Sequence, residues 1–160
     1  MEASEDGRYI LFQGTIGQGS VNAVQKIIDT VPTATTLILD SGGGRLAEAE
    51  ELALRVRQQH LDTYVEEVCL SACTYVFLAG EHRELSDTAE PGFHQPSSIG
   101  ITTDGRKQMA QQMAEYYRSA GVREWFIDRV LATAPEDMWY PTRRELEQAG
   151  VVTLPDPHGN

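Results

Sequence analysis

Residues 35–59, "TTLILDSGGGRLAEAEELALRVRQQ", contain three different physical signals in succession. Leu37, Ile38 and Leu39 form a short apolar run without polar alternation. That pattern belongs to a parallel strand covered on both faces. Gly42, Gly43 and Gly44 follow, a run that tolerates a sharp backbone turn and close approach of a neighbour. Leu46, Ala49, Ala53 and Val56 then recur at helical spacing, with glutamates and arginines between them. The stretch is therefore a strand, a tight turn and an amphipathic helix. If its flanks repeat the pattern, the fold is a layered α/β domain.

The flanks do repeat it. "RYILFQGTI", residues 8–16, is rich in strand formers and leads into "SVNAVQKIIDTV", where Val21, Val24, Ile27, Ile28 and Val31 mark a helical stripe and Ser20 is the expected N-cap. Downstream, "LDTYVEEV" predicts a third strand, "SACTYVFLAG" a short buried helix, and "HRELSDT" a small extended segment. Alternation over the first half predicts a mostly parallel sheet with helices on its faces and right-handed crossovers.

From residue 104 the pattern turns helical. Asp104 is the expected cap of a helix carrying Met109, Met113, Tyr116 and Tyr117, and "VREWFIDRVLATA" predicts another with Trp125, Phe126 and Val130 inward. "PTRRELEQAG" has a capping box from Thr142 to Glu145 and stops at Gly150, and "VVTL" is read as a last short strand. No internal repeat or low-complexity linker divides the chain. One domain over residues 1–160 is expected, with 1–7 and 155–160 frayed and 104–133 a helical segment available for subunit contact.

A length of 160 residues suits one such domain. Twenty-four acidic against thirteen basic side chains give a net charge of −11, which repels phosphate backbones and anionic membrane surfaces, so nucleic acid is not the expected partner. No apolar run approaches the roughly 20 residues that span a bilayer, so no membrane insertion is expected. The start, "MEASEDGRYI", lacks the basic and apolar regions of an export signal. The two cysteines, Cys69 and Cys73, are too few for a zinc site. Buried free thiols are the plainer reading, and one local bridge is the alternative, since four residues along a helical turn separate α-carbons by about 6 Å. No metal or other cofactor is implied.

Three motifs emerge at the carboxyl ends of predicted strands, where ligands of parallel sheets gather. "DSGGG", residues 40–44, bares backbone N–H groups that suit an anion or a developing oxyanion, and lacks the lysine and hydroxyl of a nucleotide-binding loop. Its plain alternative is a ligand-free turn. Ser71, at the start of a predicted helix, is either an N-cap or a nucleophile beside the Ala72 N–H. His94, between Phe93 and Gln95 in "GFHQP", is either a hydrogen-bonded loop residue or the base that a serine nucleophile requires. His60, His82 and His158 have weaker settings.

The order "LILDSGGG", "CLSACTYVFLAGEHR", "GFHQP" and "LEQAGVV" resembles the Clp-type serine protease family within the wider crotonase-like fold, and more closely the bacterial, often exported, Clp-like proteins with a serine between paired cysteines. The likeness covers residues 10–96 well and 140–152 more weakly. It implies Ser71 as nucleophile, His94 as general base, and backbone N–H groups of Gly43 and Ala72 as oxyanion donors. It also implies a peptide or protein substrate, a homo-oligomer, and a periplasmic setting whose export signal is not among these residues. The sequence departs from the family in having Gly42 where a proline is usual. It departs again where an orienting aspartate falls on Met138, with Asp137 just before it. Either Asp137 reaches the imidazole, or a backbone carbonyl or water replaces it, or hydrolysis is weakened. The family's stacking handle has no counterpart in 97–139, so neither stacked rings nor an ATPase partner is expected. The leading expectation is a serine peptidase-like hydrolase. A noncatalytic Clp-like peptide-binding or assembly protein is the alternative, and thioester chemistry of the crotonase kind is a third reading.

Overall fold

The computed structural model describes residues 1–97 and 100–153. Its strands are β1 (Glu2–Ala3), β2 (Tyr9–Gln13), β3 (Thr36–Ser41), β4 (Asp62–Leu70), β5 (Arg83–Leu85) and β6 (Glu90–Gly92). Its helices are α1 (Ser20–Thr30), α2 (Leu46–Gln58), α3 (Cys73–Phe77), α4 (Thr103–Ser119), α5 (Glu124–Ala132) and α6 (Arg143–Gln148). The sheet runs β1-β2-β3-β4-β5, and every pairing is parallel except that of β1 with β2. β4 is long enough to take two partners along one edge, β5 beside Thr63–Val65 and β6 beside Val68–Leu70.

Alternation along the strands decides where the core lies. Ile10, Phe12, Leu37, Leu39, Thr63 and Val65 are buried, while Leu11, Ile38 and Tyr64 between them are half-buried. Helices α1, α2 and α3 pack side by side over the first set. Each large apolar side chain buried there contributes about 1.5–3 kcal/mol. The expectation that Leu37–Leu39 is covered on both faces is thus corrected. Helices cover one face, and an uninterrupted apolar run did not distinguish full from half burial because Ile38 tolerates the more open side.

The element ends also differ from the sequence expectations. Ser20 lies inside α1, whose cap is Gly19 at φ 92, and its hydroxyl accepts the Gly17 N–H. Thr102, not Asp104, caps α4 by accepting the Gly105 N–H, whereas the Thr142–Glu145 capping box forms as expected. Trp125 stays 44% exposed while Phe126 and Val130 turn inward. Glu2 and Ala3, in the segment expected to fray, pair with Leu11 and Ile10. Val151 and Val152 are buried but form no strand; Leu154 and the tail expected to fray lie outside the described residues. Among the described residues no helix is long and apolar enough to cross a membrane.

Between Leu39 and Ser41 the β3–β4 register slips, so that Leu39 faces Val65 but Ser41 faces Cys69. The extra β4 residues include the exposed Glu66 and Glu67. Such a bulge bends the strand. Here the strand end is carried beside the glycine turn.

Candidate active site

β4 ends at Leu70 and α3 begins at Cys73, so Ser71 and Ala72 make the whole turn. So short a strand-to-helix turn needs one residue in left-handed backbone, and Ser71 supplies it at φ 55. A non-glycine residue there costs about 1–2 kcal/mol and lifts its side chain out of the turn. The backbone around it is held: the Ser71 N–H donates to the Gly92 carbonyl at 3.0 Å. The Ser71 carbonyl in turn accepts from the Thr74 N–H at 3.0 Å and the Thr74 hydroxyl at 2.7 Å. Ser71 is therefore no side-chain cap; α3 has none, and it is shorter than the stretch expected.

The freed hydroxyl lies 2.7 Å from His94 Nε2. β6 brings the histidine there by pairing with the end of β4, and Phe93 fixes the exit by exchanging both backbone hydrogen bonds with Trp139 at 2.9 Å. His94 Nδ1 lies 2.8 Å from the Gln95 carbonyl oxygen. A carbonyl only accepts, so Nδ1 carries the proton and Nε2 presents its lone pair to the serine hydroxyl. One backbone contact thereby sets the tautomer that a base needs. Ser71 and His94 are both half-buried.

Asp137 is exposed, and among the described residues its carboxylate makes no hydrogen bond to His94. The Met138 side chain packs beside Gly92, where an added Cβ would sit 2.8 Å from Met138 Cγ. Of the three orienting arrangements open from sequence, the backbone carbonyl is the one formed.

The glycine turn closes the other side. Gly43, at φ 93, approaches so closely that an added Cβ would lie 2.5 Å from the Leu70 carbonyl and 3.1 Å from Ser71 Cβ. Its own N–H donates to the Ser41 hydroxyl at 3.1 Å. The neighbouring bridge runs from the Ile16 N–H to the Gly43 carbonyl and from the Arg45 N–H to the Ile16 carbonyl, both 2.9 Å. In that pattern the intervening residue directs its N–H to the opposite edge. Gly44 thus aims its N–H away from Ile16, and Gly44 and Ser71 line the same cavity. Sequence reasoning singled out Gly43 within the three-glycine run, and its N–H is the one held by Ser41. The Ala72 N–H, ahead of α3, is among those without an intrahelical partner.

Gly44, Leu46, Ser71, Ala72, Tyr75, His94 and Met113 help line a cavity of about 130 Å³. It adjoins a groove of about 450 Å³ between α2 and α4, walled by Leu46, Glu50, Tyr75, Met109 and Gln112. Hollows of about 330 and 410 Å³ on the open sheet face contain no paired nucleophile and base. Cys69 and Cys73 are joined in a disulfide with Cα atoms 5.2 Å apart, so the free-thiol reading is corrected; the strand-to-helix bend itself brings them within bridging reach. No cluster of three or more His, Cys, Asp or Glu side chains among the described residues is arranged to hold a metal ion.

The architecture is an α/β fold with a mostly parallel sheet, flanking and C-terminal helices, and a serine just past the end of the long strand. Solved structures similar to the chain include two forms of one protein. ClpP1 from Listeria monocytogenes superposes with TM-score 0.76 at 18% identity, over 92% of this chain and 89% of that one. An asparagine-to-aspartate mutant of the same protein superposes with TM-score 0.75 at 20% identity, over 92% and 90%. At these identities the likeness is one of fold. No family model matches the sequence, and no curated protein aligns with it significantly.

Proposed function

We propose that the protein is a serine peptidase-like hydrolase that cleaves peptide bonds through a Ser71–His94 centre. The 2.7 Å hydrogen bond from the Ser71 hydroxyl to an imidazole nitrogen left bare by the Gln95 carbonyl supports the reading most directly. Nε2 takes the Ser71 proton as Oγ attacks the scissile carbonyl. The resulting oxyanion lies against the N–H groups of Ala72 and Gly44. Gly44 takes precedence over Gly43 because the Gly43 N–H is already held by Ser41. His94 then returns the proton to the leaving amine and activates water for deacylation. Asp137 has no assigned step, and a carbonyl that fixes the tautomer without a full charge stabilises imidazolium less than a carboxylate does. The expected enzyme is therefore slow rather than inert.

The protein substrate and a homo-oligomer complete the proposal. Oligomer formation is supported by the half-exposed apolar side chains on the open sheet face and by Trp125 on α5. A buried disulfide supports an oxidising, periplasmic-type setting. The noncatalytic peptide-binding reading is supported by the missing carboxylate alone, and thioester chemistry by nothing beyond an oxyanion loop that serves either acyl group. A fluorophosphonate probe tests the proposal. Wild type should label at one site, Ser71→Ala should not label, and His94→Ala should label about 10²-fold more slowly or worse. A folded wild type that never labels would favour binding without chemistry.

A further inference from the structure

We infer that the Cys69–Cys73 disulfide is a positioning device for the nucleophile, holding Ser71 in its left-handed turn so that the hydroxyl meets His94. The inference rests on the hydrolase reading for its consequence but on the turn for its geometry. The bridge joins the penultimate residue of β4 to the first residue of α3, with Ser71 midway between. Both cysteines are fully buried, so the linkage has no room to swing. Its sequence separation is only 4. A loop that short removes less freedom from the unfolded chain than a long one does. What it restrains is local, and the residue it encloses is the only non-glycine besides His60 with positive φ among the described residues.

The remaining restraints on the turn do not substitute for it. The Gly92 carbonyl holds the Ser71 N–H and Thr74 holds its carbonyl, so both act on Ser71 itself. Neither fixes the distance between Cys69 and Cys73, and the buried hydrogen bond that ties β4 to α3, from the Thr63 hydroxyl to the Phe77 carbonyl at 2.7 Å, lies at the end of each element remote from Ser71. Opening the bridge lets Ser71 relax toward an ordinary backbone angle, which rotates its Cβ away from His94 Nε2. A displacement of this kind costs a reacting pair far more than it costs the fold.

The experiment compares wild type with the folded double variants Cys69→Ala/Cys73→Ala and Cys69→Val/Cys73→Ala, and with wild type reduced by a trialkylphosphine. The phosphine becomes its oxide as water supplies the oxygen and the two thiol protons. Two signals are read: the second-order rate of fluorophosphonate labelling and the ¹⁵N resonance of His94 Nε2, assigned by loss in His94→Ala. The expected result is a fall in labelling of at least about tenfold, a shift of the Nε2 resonance as its bond to Ser71 is lost, and a melting temperature lowered by only a few degrees. The inference is overturned if the unbridged forms keep the wild-type Nε2 resonance, or if all three lose native circular dichroism, which makes the bridge a staple of the whole fold. It is overturned too if denatured, unreduced protein titrates two thiols. Wild type that does not label, with an Nε2 resonance still dependent on the bridge, sinks the hydrolase reading and leaves this one standing. Labelling indifferent to the bridge does the reverse.

Discussion

At the scale of single residues, the unusual feature is a base whose orienting partner is the carbonyl of the next residue. Nδ1 of His94 is satisfied by Gln95 at 2.8 Å, and Asp137 is exposed, with no hydrogen bond from its carboxylate to His94 among the described residues. Asp137→Asn should leave the labelling rate unchanged within about twofold, measured beside wild type at one pH. A larger fall would return Asp137 to the centre through an arrangement that forms with substrate. This part of the site was only partly legible. Ser71 and His94 are side-chain functions, so their residue types and settings carried the signal. The tautomer is set by a backbone carbonyl that every residue possesses, and no sequence pattern marks which one points inward. The same limitation holds for the glycine turn. Three identical residues gave no register, and the Ile16 bridge that supplies it is a contact between distant parts of the chain.

Among the elements, Arg83 on β5 binds the ends of three helices. It is 7% exposed, and its guanidinium donates to the carbonyls of Leu78 after α3, Ala120 after α4 and Gly150 after α6, as well as to Gly80 and Val151. Helix C-termini carry unpaired carbonyls and the negative end of the dipole, so one planar cation with five donors offsets several orphan acceptors together. Burial pulls its pKa below the usual guanidinium value, yet the group stays charged at any ordinary pH. Arg83→Met should destabilise the protein by about 3 kcal/mol or more, because buried carbonyls lose their donors. Arg83→Lys should recover little, since a point charge cannot span the fork. Guanidinium unfolding at constant slope checks both, and an Arg83→Met midpoint within error of wild type would remove the role. Sequence showed the helices that Arg83 gathers but not Arg83 itself, which reads there as an ordinary polar residue in "EHRELSDT". Periodicity found β2, α1, β3, α2 and β4 because each buries a regular stripe. It misplaced Asp104 because the Thr102 hydroxyl two residues earlier satisfies the same local rule, and Ser20 because the cap, Gly19, is a backbone turn with no side chain to read.

Taken as a whole molecule, the domain joins its regular α/β half to its helical half through tyrosines. Tyr75 of α3 stacks on Tyr116 of α4 with ring centroids 4.9 Å apart and meets the edge of Tyr117 at 5.9 Å. Tyr117 reaches the Thr74 hydroxyl at 3.1 Å, the same hydroxyl that holds the Ser71 carbonyl, so the packing seam continues into the site. The seam was legible only as two helices with aromatic stripes, because which stripes meet depends on crossovers that periodicity does not encode. Burial disfavours ionisation of all three: it pushes Tyr116 up to about 12 and Tyr75 and Tyr117 further still. In the unfolded chain each phenol ionises near its ordinary value of about 10. Above that pH the unfolded state sheds protons that the folded state keeps, so stability must fall as pH rises. Each tyrosine held neutral contributes a slope of about 1.4 kcal/mol per pH unit across the window between its unfolded and folded pKa. Stability should therefore be flat with respect to these groups below pH 10 and then fall steeply toward 12. Tyr117→Phe, which has no phenol to ionise, should flatten the slope by about one third even if the lost bond to Thr74 lowers stability at neutral pH. Urea midpoints taken at successive pH values, with phenolate absorbance recorded on the same samples, decide the matter: tyrosines that titrate fully near pH 10 before the chain unfolds would show the seam to be open to water.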